Sequence, residues 1–201
     1  MSTSTPEPTN GIRIARLDDA RAVQAIYAPY VVETAISFEL DPPSEREMAE
    51  RIERIGATFP WLVYEQDGEV IGYAYAGPRA ERPAYGWSAD STVYVARGAH
   101  RRGIGRSLYQ RLLPILNLQG FHSVFGGITL PNTGSVGLHE ACGYAFMGAY
   151  REVGFKLGAW HDVGWWGLRL NPPALDPSPP RPFSEDIFAQ TGGLASPARR
   201  G

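Results

Sequence analysis

Residues 90–108, DSTVYVARGAHRRGIGRSL, place a strand, a cationic glycine loop and the start of a helix in succession, an order that few folds accommodate. Val93, Tyr94 and Val95 are β-branched or aromatic and predict a strand, whereas Ile104, Leu108, Leu112 and Ile115 recur at the spacing of one helix face. Between them, Arg101, Arg102, Gly103, Ile104, Gly105 and Arg106 set two side-chain-free residues beside three guanidinium groups where a helix must begin. The first turn of a helix has unpaired N–H groups and partial positive charge, so such a loop suits a phosphate or pyrophosphate. Glycine lets the main chain approach closely, and arginine adds charge. The loop matches neither the dinucleotide fingerprint nor the P-loop, because Ser107 follows an arginine and no lysine adjoins the second glycine. A glycine turn with solvated arginines fits the same letters.

A chain of 201 residues carries one domain with a substantial core. Its formal net charge of -2 gives no general attraction to nucleic acid or an anionic membrane, so a basic site must be local. The only cysteine, Cys142, excludes an internal disulfide and a cysteine-based metal cluster, and no metal is expected. No apolar run is long enough for a membrane span, and MSTSTPEPTN lacks both parts of a signal peptide. The expectation is a soluble cytoplasmic protein.

Residues 1–10 are polar and proline-containing, and disorder is expected there. A strand over 12–14 is followed by a helix that starts on the cap Asp18-Asp19, carries Ala22, Val23, Ile26 and Tyr27 and ends near Pro29 or runs irregularly to Val32, and then by an extended stretch TAISFEL. Ser44 and Glu47 make a capping box for a helix that Gly56 stops. Strands over 59–65 and 70–76 flank the Asp67-Gly68 turn. Residues 79–88 form a polar and aromatic loop. The helix after the glycine loop contains Pro114, where a kink or an early end is expected because an interior proline costs about 3 kcal/mol. A strand over 124–130, a short helix over 135–141 and strands over 144–153 and 161–170 complete residues 11–170, the expected folded domain. From residue 171 the chain turns proline-rich, and 171–201 reads as a disordered tail. The order predicts an α/β or α+β fold, a sheet of about seven strands with helices on both faces.

Two of these segments, VYVARGAHRRGIGRSLYQRLL and NTGSVGLHEACGY (residues 132–144), resemble the cofactor loop and the later helix motif of the GCN5-related N-acetyltransferase (GNAT) superfamily. Within it, FPWLVYEQDGEV, YAYAGP, DSTVYV and GFKLGAWHDVGWW are similar to the phosphinothricin N-acetyltransferases over residues 12–170. The resemblance implies a GNAT sheet splayed between its fourth and fifth strands. It also implies acetyl transfer from acetyl-CoA to the amine of a small amino acid such as phosphinothricin or methionine sulfoximine. The pantetheine arm would pair with the main chain of Val93, Tyr94 and Val95, and the diphosphate would sit on the N–H groups of residues 101–106. Asn132 matches a cofactor contact, but a plain helix cap explains it equally well. The resemblance and the Trp160, Trp165 and Trp166 cluster imply a homodimer.

Three positions depart from the family pattern. His100 stands where Gln or Arg is usual, and Asp90 where the subfamily has Glu. His139 occupies the place of the common tyrosine, as in the phosphinothricin enzymes. Acetylation needs a neutral amine, a polarised thioester carbonyl and a proton for the thiolate. Asp90 is the candidate base, directly or through water, or else it caps the strand. Main-chain N–H groups of the splayed strand suit an oxyanion hole. His139 suits the sulfur, or else is a structural hydrogen-bonding residue. Phe38, Arg79, Arg82, Tyr85 and Lys156 are candidates for holding a zwitterionic acceptor, against a reading as solvated loop charge and core aromatics. The alternatives are another amine acceptor, such as a protein N-terminus or polyamine, or an acyl-CoA-binding regulator without turnover.

Overall fold

The computed structural model describes residues 11–192, so the expectation for 1–10 and for the end of the tail lies outside the described residues. Its centre is one sheet of seven strands in the order β1-β2-β3-β4-β5-β7-β6. The strands are β1 Gly11–Ile14, β2 Trp61–Gln66, β3 Glu69–Pro78, β4 Ser88–Val95, β5 Ser123–Leu130, β6 Ala145–Lys156 and β7 Ala159–Arg169. All neighbours are antiparallel except β4 and β5, which makes the sheet mixed.

Local chemistry sets most boundaries. The turn between β2 and β3 puts Asp67 at φ 54° and Gly68 at φ 81°, the left-handed pair that a two-residue hairpin requires. The β6–β7 hairpin repeats the device with Leu157 at φ 50° and Gly158 at φ 78°, closing more tightly than the loop expected from sequence. Helix α2 (Glu45–Gly56) starts on the predicted capping box, with the Glu47 N–H donating to Ser44 Oγ at 3.2 Å and the Ser44 N–H donating to Glu47 Oε2 at 2.7 Å.

Helices cover both faces. Helix α1 (Ala20–Glu33) and α2 lie on one, over a core that includes Val23, Val31, Met48, Ile52, Trp61 and Tyr73. Helices α3 (Ile104–Gln119) and α4 (Thr133–Ala141) cover the other, around Leu108, Leu112, Leu113, Ile115, Leu116 and Val124. Helix α3 runs unbroken through Pro114, contrary to expectation. Pro114 is buried within this apolar run, and the carbonyl that loses its donor belongs to exposed Gln110, so burial outweighs one missing hydrogen bond.

The tail differs from expectation too. Residues 171–192 are ordered against the body: the Arg181 N–H donates to the Gln119 carbonyl at 2.7 Å, and the Phe183 N–H to the Thr58 carbonyl at 2.9 Å. Ser184 caps a short helix, α5 (Glu185–Gln190), whose Ile187 is only 4% exposed, and Arg111 lies over the Phe188 ring at 4.1 Å. Proline density signals a lack of regular structure, yet Phe183, Ile187 and Phe188 still supply an apolar anchor. Ile187→Ala is expected to cost about 2–5 kcal/mol, read as a lower urea midpoint, because the side chain is buried in the α3 core.

Candidate active site

The β4–β5 pairing is short: Ser88, Ala89 and Asp90 face Ser123, Val124 and Phe125, and there it ends. Beyond Asp90 the strands part, because β4 stays registered with β3 to Val95 while β5 stays registered with β7 to Leu130. The Ser91 hydroxyl makes a last link, donating to the Phe125 carbonyl at 3.2 Å. The opening is a cavity of about 590 Å³, which Val93, Tyr94 and Val95 line from β4, and Asn132, Gly134, Ser135 and Leu138 from the start of α4.

The cationic loop closes one end. Gly103 caps α3 at φ 81°, and Arg101 takes φ 59°, a conformation that suits glycine better than arginine. Arg101, Gly103, Ile104, Gly105 and Arg106 line the cavity. Arg102 does not: its guanidinium turns away to donate to Gln66 Oε1 at 2.7 Å. Asn132 caps α4, its Oδ1 accepting from the Ser135 N–H at 3.0 Å, and also lines the cavity. Sequence reasoning missed Tyr30 and Arg97, which reach the cavity from other parts of the chain. The Tyr30 hydroxyl donates to the Val95 carbonyl and lies 2.6 Å from His100 Nε2, so His100 braces the end of β4. An open strand edge and a cationic, left-handed helix start fit a thioester whose arm carries amides and whose far end carries phosphates.

Asp90 and His139 lie on opposite faces of the sheet. His139 is 4% exposed, with rings of Tyr109 and Tyr144 packed edge-on against it. Its Nδ1 donates to the Ser135 carbonyl at 2.8 Å, which leaves Nε2 to accept from the Tyr109 hydroxyl at 3.0 Å. Burial lowers its pKa, so the ring is neutral at pH 7. Gly126 makes room for it, since a Cβ there would stand 2.7 Å from His139 Cδ2. Both ring nitrogens of His139 are thus engaged within the fold, and neither His139 nor Asp90 is among the residues that line the cavity.

On the other face, burial pushes the Asp90 carboxyl up to about 6, with Arg79 pulling the opposite way. Arg79 Nη1 is 3.1 Å from both carboxylate oxygens, and its guanidinium lies 3.9 Å from the Trp165 ring centroid and 5.0 Å from that of Phe125. Of the expected acceptor residues, Arg79 therefore meets the candidate base directly. Arg82, just before the turn Pro83–Tyr85, and Tyr85 within it are exposed and do not line the cavity. Phe38 packs beside Gly154 and His161 in the loop between α1 and α2. Lys156 is buried, and its ammonium donates to the carbonyls of Val31, Ser37 and Glu39 at 2.5, 2.7 and 2.7 Å; it fastens that loop and is not available to an acceptor.

The sequence matches the Acetyltransferase (GNAT) domain family over residues 12–165, and the chain belongs to the GNAT acetyltransferases. It is 44% identical over 174 residues to the phosphinothricin N-acetyltransferase of Streptomyces viridochromogenes, covering 87% of this chain and 94% of that protein. It is 30% identical over 163 residues to the L-methionine sulfoximine/L-methionine sulfone acetyltransferase of Salmonella typhimurium, covering 80% and 94%. Among solved structures it resembles a GNAT superfamily phosphinothricin acetyltransferase from Sinorhizobium meliloti in complex with acetyl-CoA, with TM-score 0.80 and 32% identity over 86% of this chain and 94% of that one.

Proposed function

We propose that this chain is an acetyl-CoA-dependent N-acetyltransferase acting on the amino group of a small amino acid, with glutamate analogues such as phosphinothricin and methionine sulfoximine as acceptors. The observation that carries this reading is the parting of β4 and β5 immediately after Asp90, with the cationic loop opening onto the parted strands. The relatives that act on these two acceptors support the same class.

Acetyl-CoA, when bound, supplies an activated acyl group at the thioester. Main-chain groups of Val93 and Tyr94 hold its arm, while the N–H groups around Gly103 and Gly105 and the Arg101 and Arg106 side chains hold its phosphates. Asp90 takes a proton from the acceptor's ammonium, directly or through one water, and so frees the nitrogen lone pair for attack. A carboxyl that titrates at about 6 is mostly ionised at pH 7 and yet basic enough for this task. His139 serves as a positioning residue, setting α4 and with it Asn132 and Ser135 at the cavity wall.

Residues 11–170 form the catalytic unit, and 171–192 act as a strap on α3. The reading places the reaction in the cytosol, where a lone buried Cys142 stays reduced. Strand β6 ends the sheet, and the hairpin it forms with β7 exposes Phe146, Met147, Tyr150, Phe155 and Trp160, each more than half accessible; a second copy of the chain would cover this surface. Within the tryptophan cluster only Trp160 is available for that role, since Trp166 is 4% exposed and Trp165 faces Arg79. Acetylating such glutamate analogues would make the protein a resistance determinant.

The test is acetyl-CoA-dependent thiol release with L-phosphinothricin, L-methionine sulfoximine, common amino acids and a peptide amine as sole acceptors. Saturable turnover confined to the amino acids, highest with the two analogues, is the expected result. Turnover only with the peptide amine would overturn the acceptor class and leave the acetyl transfer.

A further inference from the structure

His100 lines the cofactor cavity and also closes a triangle of hydrogen bonds at the end of β4. The Tyr30 oxygen lies 2.6 Å from the Val95 carbonyl and 2.6 Å from His100 Nε2, and Nε2 lies 3.1 Å from the same carbonyl. A carbonyl only accepts, so the single hydroxyl proton of Tyr30 goes to Val95, and the close contact with Nε2 then requires a proton on that nitrogen. The tautomer is thereby fixed. With Nε2–H turned to Tyr30 and Val95, the ring has only Nδ1 left, and among the described residues nothing hydrogen-bonds to it. In a neutral ring Nδ1 carries a lone pair, which repels an anion; in an imidazolium it carries an N–H, which donates to one.

We propose that His100 is a further cofactor-binding residue, which holds a phosphate of acetyl-CoA through Nδ1 when protonated and loses that contact when neutral, so that cofactor affinity falls as pH rises through neutrality. The proposal rests on the acetyltransferase reading and names a regulation of that same cofactor site. The groups around His100 leave the change of charge to its ring. From α1, the Tyr30 hydroxyl is pushed up by burial and stays protonated, and Glu33 is held in an ion pair with Arg97 at 2.6 Å. The turn Arg97–Ala99, the loop after it and the start of α3 add Arg97, Arg101, Arg102 and Arg106, of which Arg102 is turned away to Gln66. Guanidinium groups stay cationic in proteins, so these supply a constant charge, whereas imidazole is the side chain that ordinarily changes charge near pH 7. His100 is exposed in the open cavity, where protons exchange freely with water.

The test is the dissociation constant of acetyl-CoA, measured by calorimetry between about pH 6 and pH 8 on the wild type and on His100→Gln, whose amide keeps an N–H for Tyr30 and cannot change charge. The cofactor's own phosphates titrate alike in both proteins, so the difference between the two profiles is the readout. Across this interval the wild type should lose about 3- to 10-fold more affinity than the variant. The coupling is reciprocal, so acetyl-CoA should also raise the titration midpoint of the His100 ring, followed by NMR of the ring nitrogens. In the free protein above that midpoint, the same spectra should place the remaining proton on Nε2. If His100→Gln fails to fold, His100→Asn replaces it as the reference that cannot titrate. Parallel affinity profiles, or a midpoint that acetyl-CoA leaves unmoved, overturn the proposal while leaving the acetyltransferase reading in place. Failure of the wild type to bind acetyl-CoA at any of these pH values overturns both.

Discussion

Asp90→Asn should lower kcat/KM for the amino acid acceptor by about 10²- to 10⁴-fold while leaving acetyl-CoA affinity within a few-fold of wild type. The substitution keeps the shape of the side chain and an oxygen towards Arg79 but removes the basic site, and Asp90 stands at the last paired position of β4, before the stretch that faces the cofactor cavity. The pH dependence has a definite sign. The base works only when ionised, so wild-type kcat/KM should rise through about pH 6, where the buried carboxyl titrates, and the variant should lack that limb. Stability should move the other way. A carboxyl whose folded pKa lies above its unfolded value loses stability as pH rises through the interval between the two, so at neutral pH the ionised Asp90 is a net burden. The variant is therefore expected to melt no lower than wild type at pH 7. A retained rate, measured by thiol release, would remove Asp90 from the mechanism.

Lys156→Met should destabilise the fold and loosen the loop after α1. Three carbonyls, those of Val31, Ser37 and Glu39, converge on one ammonium that is 5% exposed, and they lie at the end of α1 and in the loop that follows it. Leaving buried acceptors unsatisfied costs about 1–3 kcal/mol, and methionine fills the volume without restoring any donor. Arg51 and Tyr27 still hold Glu39, at 2.7 and 2.9 Å, so the loop should loosen around Ser37 and Phe38 rather than detach. Ile36 of this loop lines the cavity, so a higher KM for acetyl-CoA should accompany the lower urea midpoint. An unchanged midpoint would mean that the loop is fixed by the Glu39 network alone.

What was legible in the chain follows from how local each signal is. The Ser44 capping box, the Asp67-Gly68 turn and the glycines at the start of α3 act within a few residues, and each sits where the sequence indicated. Proline misled twice for one reason: its backbone cost is local, whereas the burial that outweighs it at Pro114 and along 171–192 comes from distant residues. The same limit explains the acceptor-side residues. Arg79, Arg82 and Lys156 carry the same sign of charge in the sequence, yet one meets the base, one is exposed and one binds three carbonyls.

By itself, then, the sequence determined the main elements of residues 11–170, their order, the phosphate-type loop and, through two motifs in register, the family. Only the tertiary structure decided which charges meet. It put Asp90 and His139 on opposite faces of the sheet, engaged both ring nitrogens of the histidine with Tyr109 and Ser135, and brought Arg79 from the end of β3 onto Asp90 and Trp165. The physical reason is that alternation along a strand fixes a face but not a neighbour. The neighbour is set by register across β3, β4, β5 and β7, which the packing of distant parts of the chain imposes.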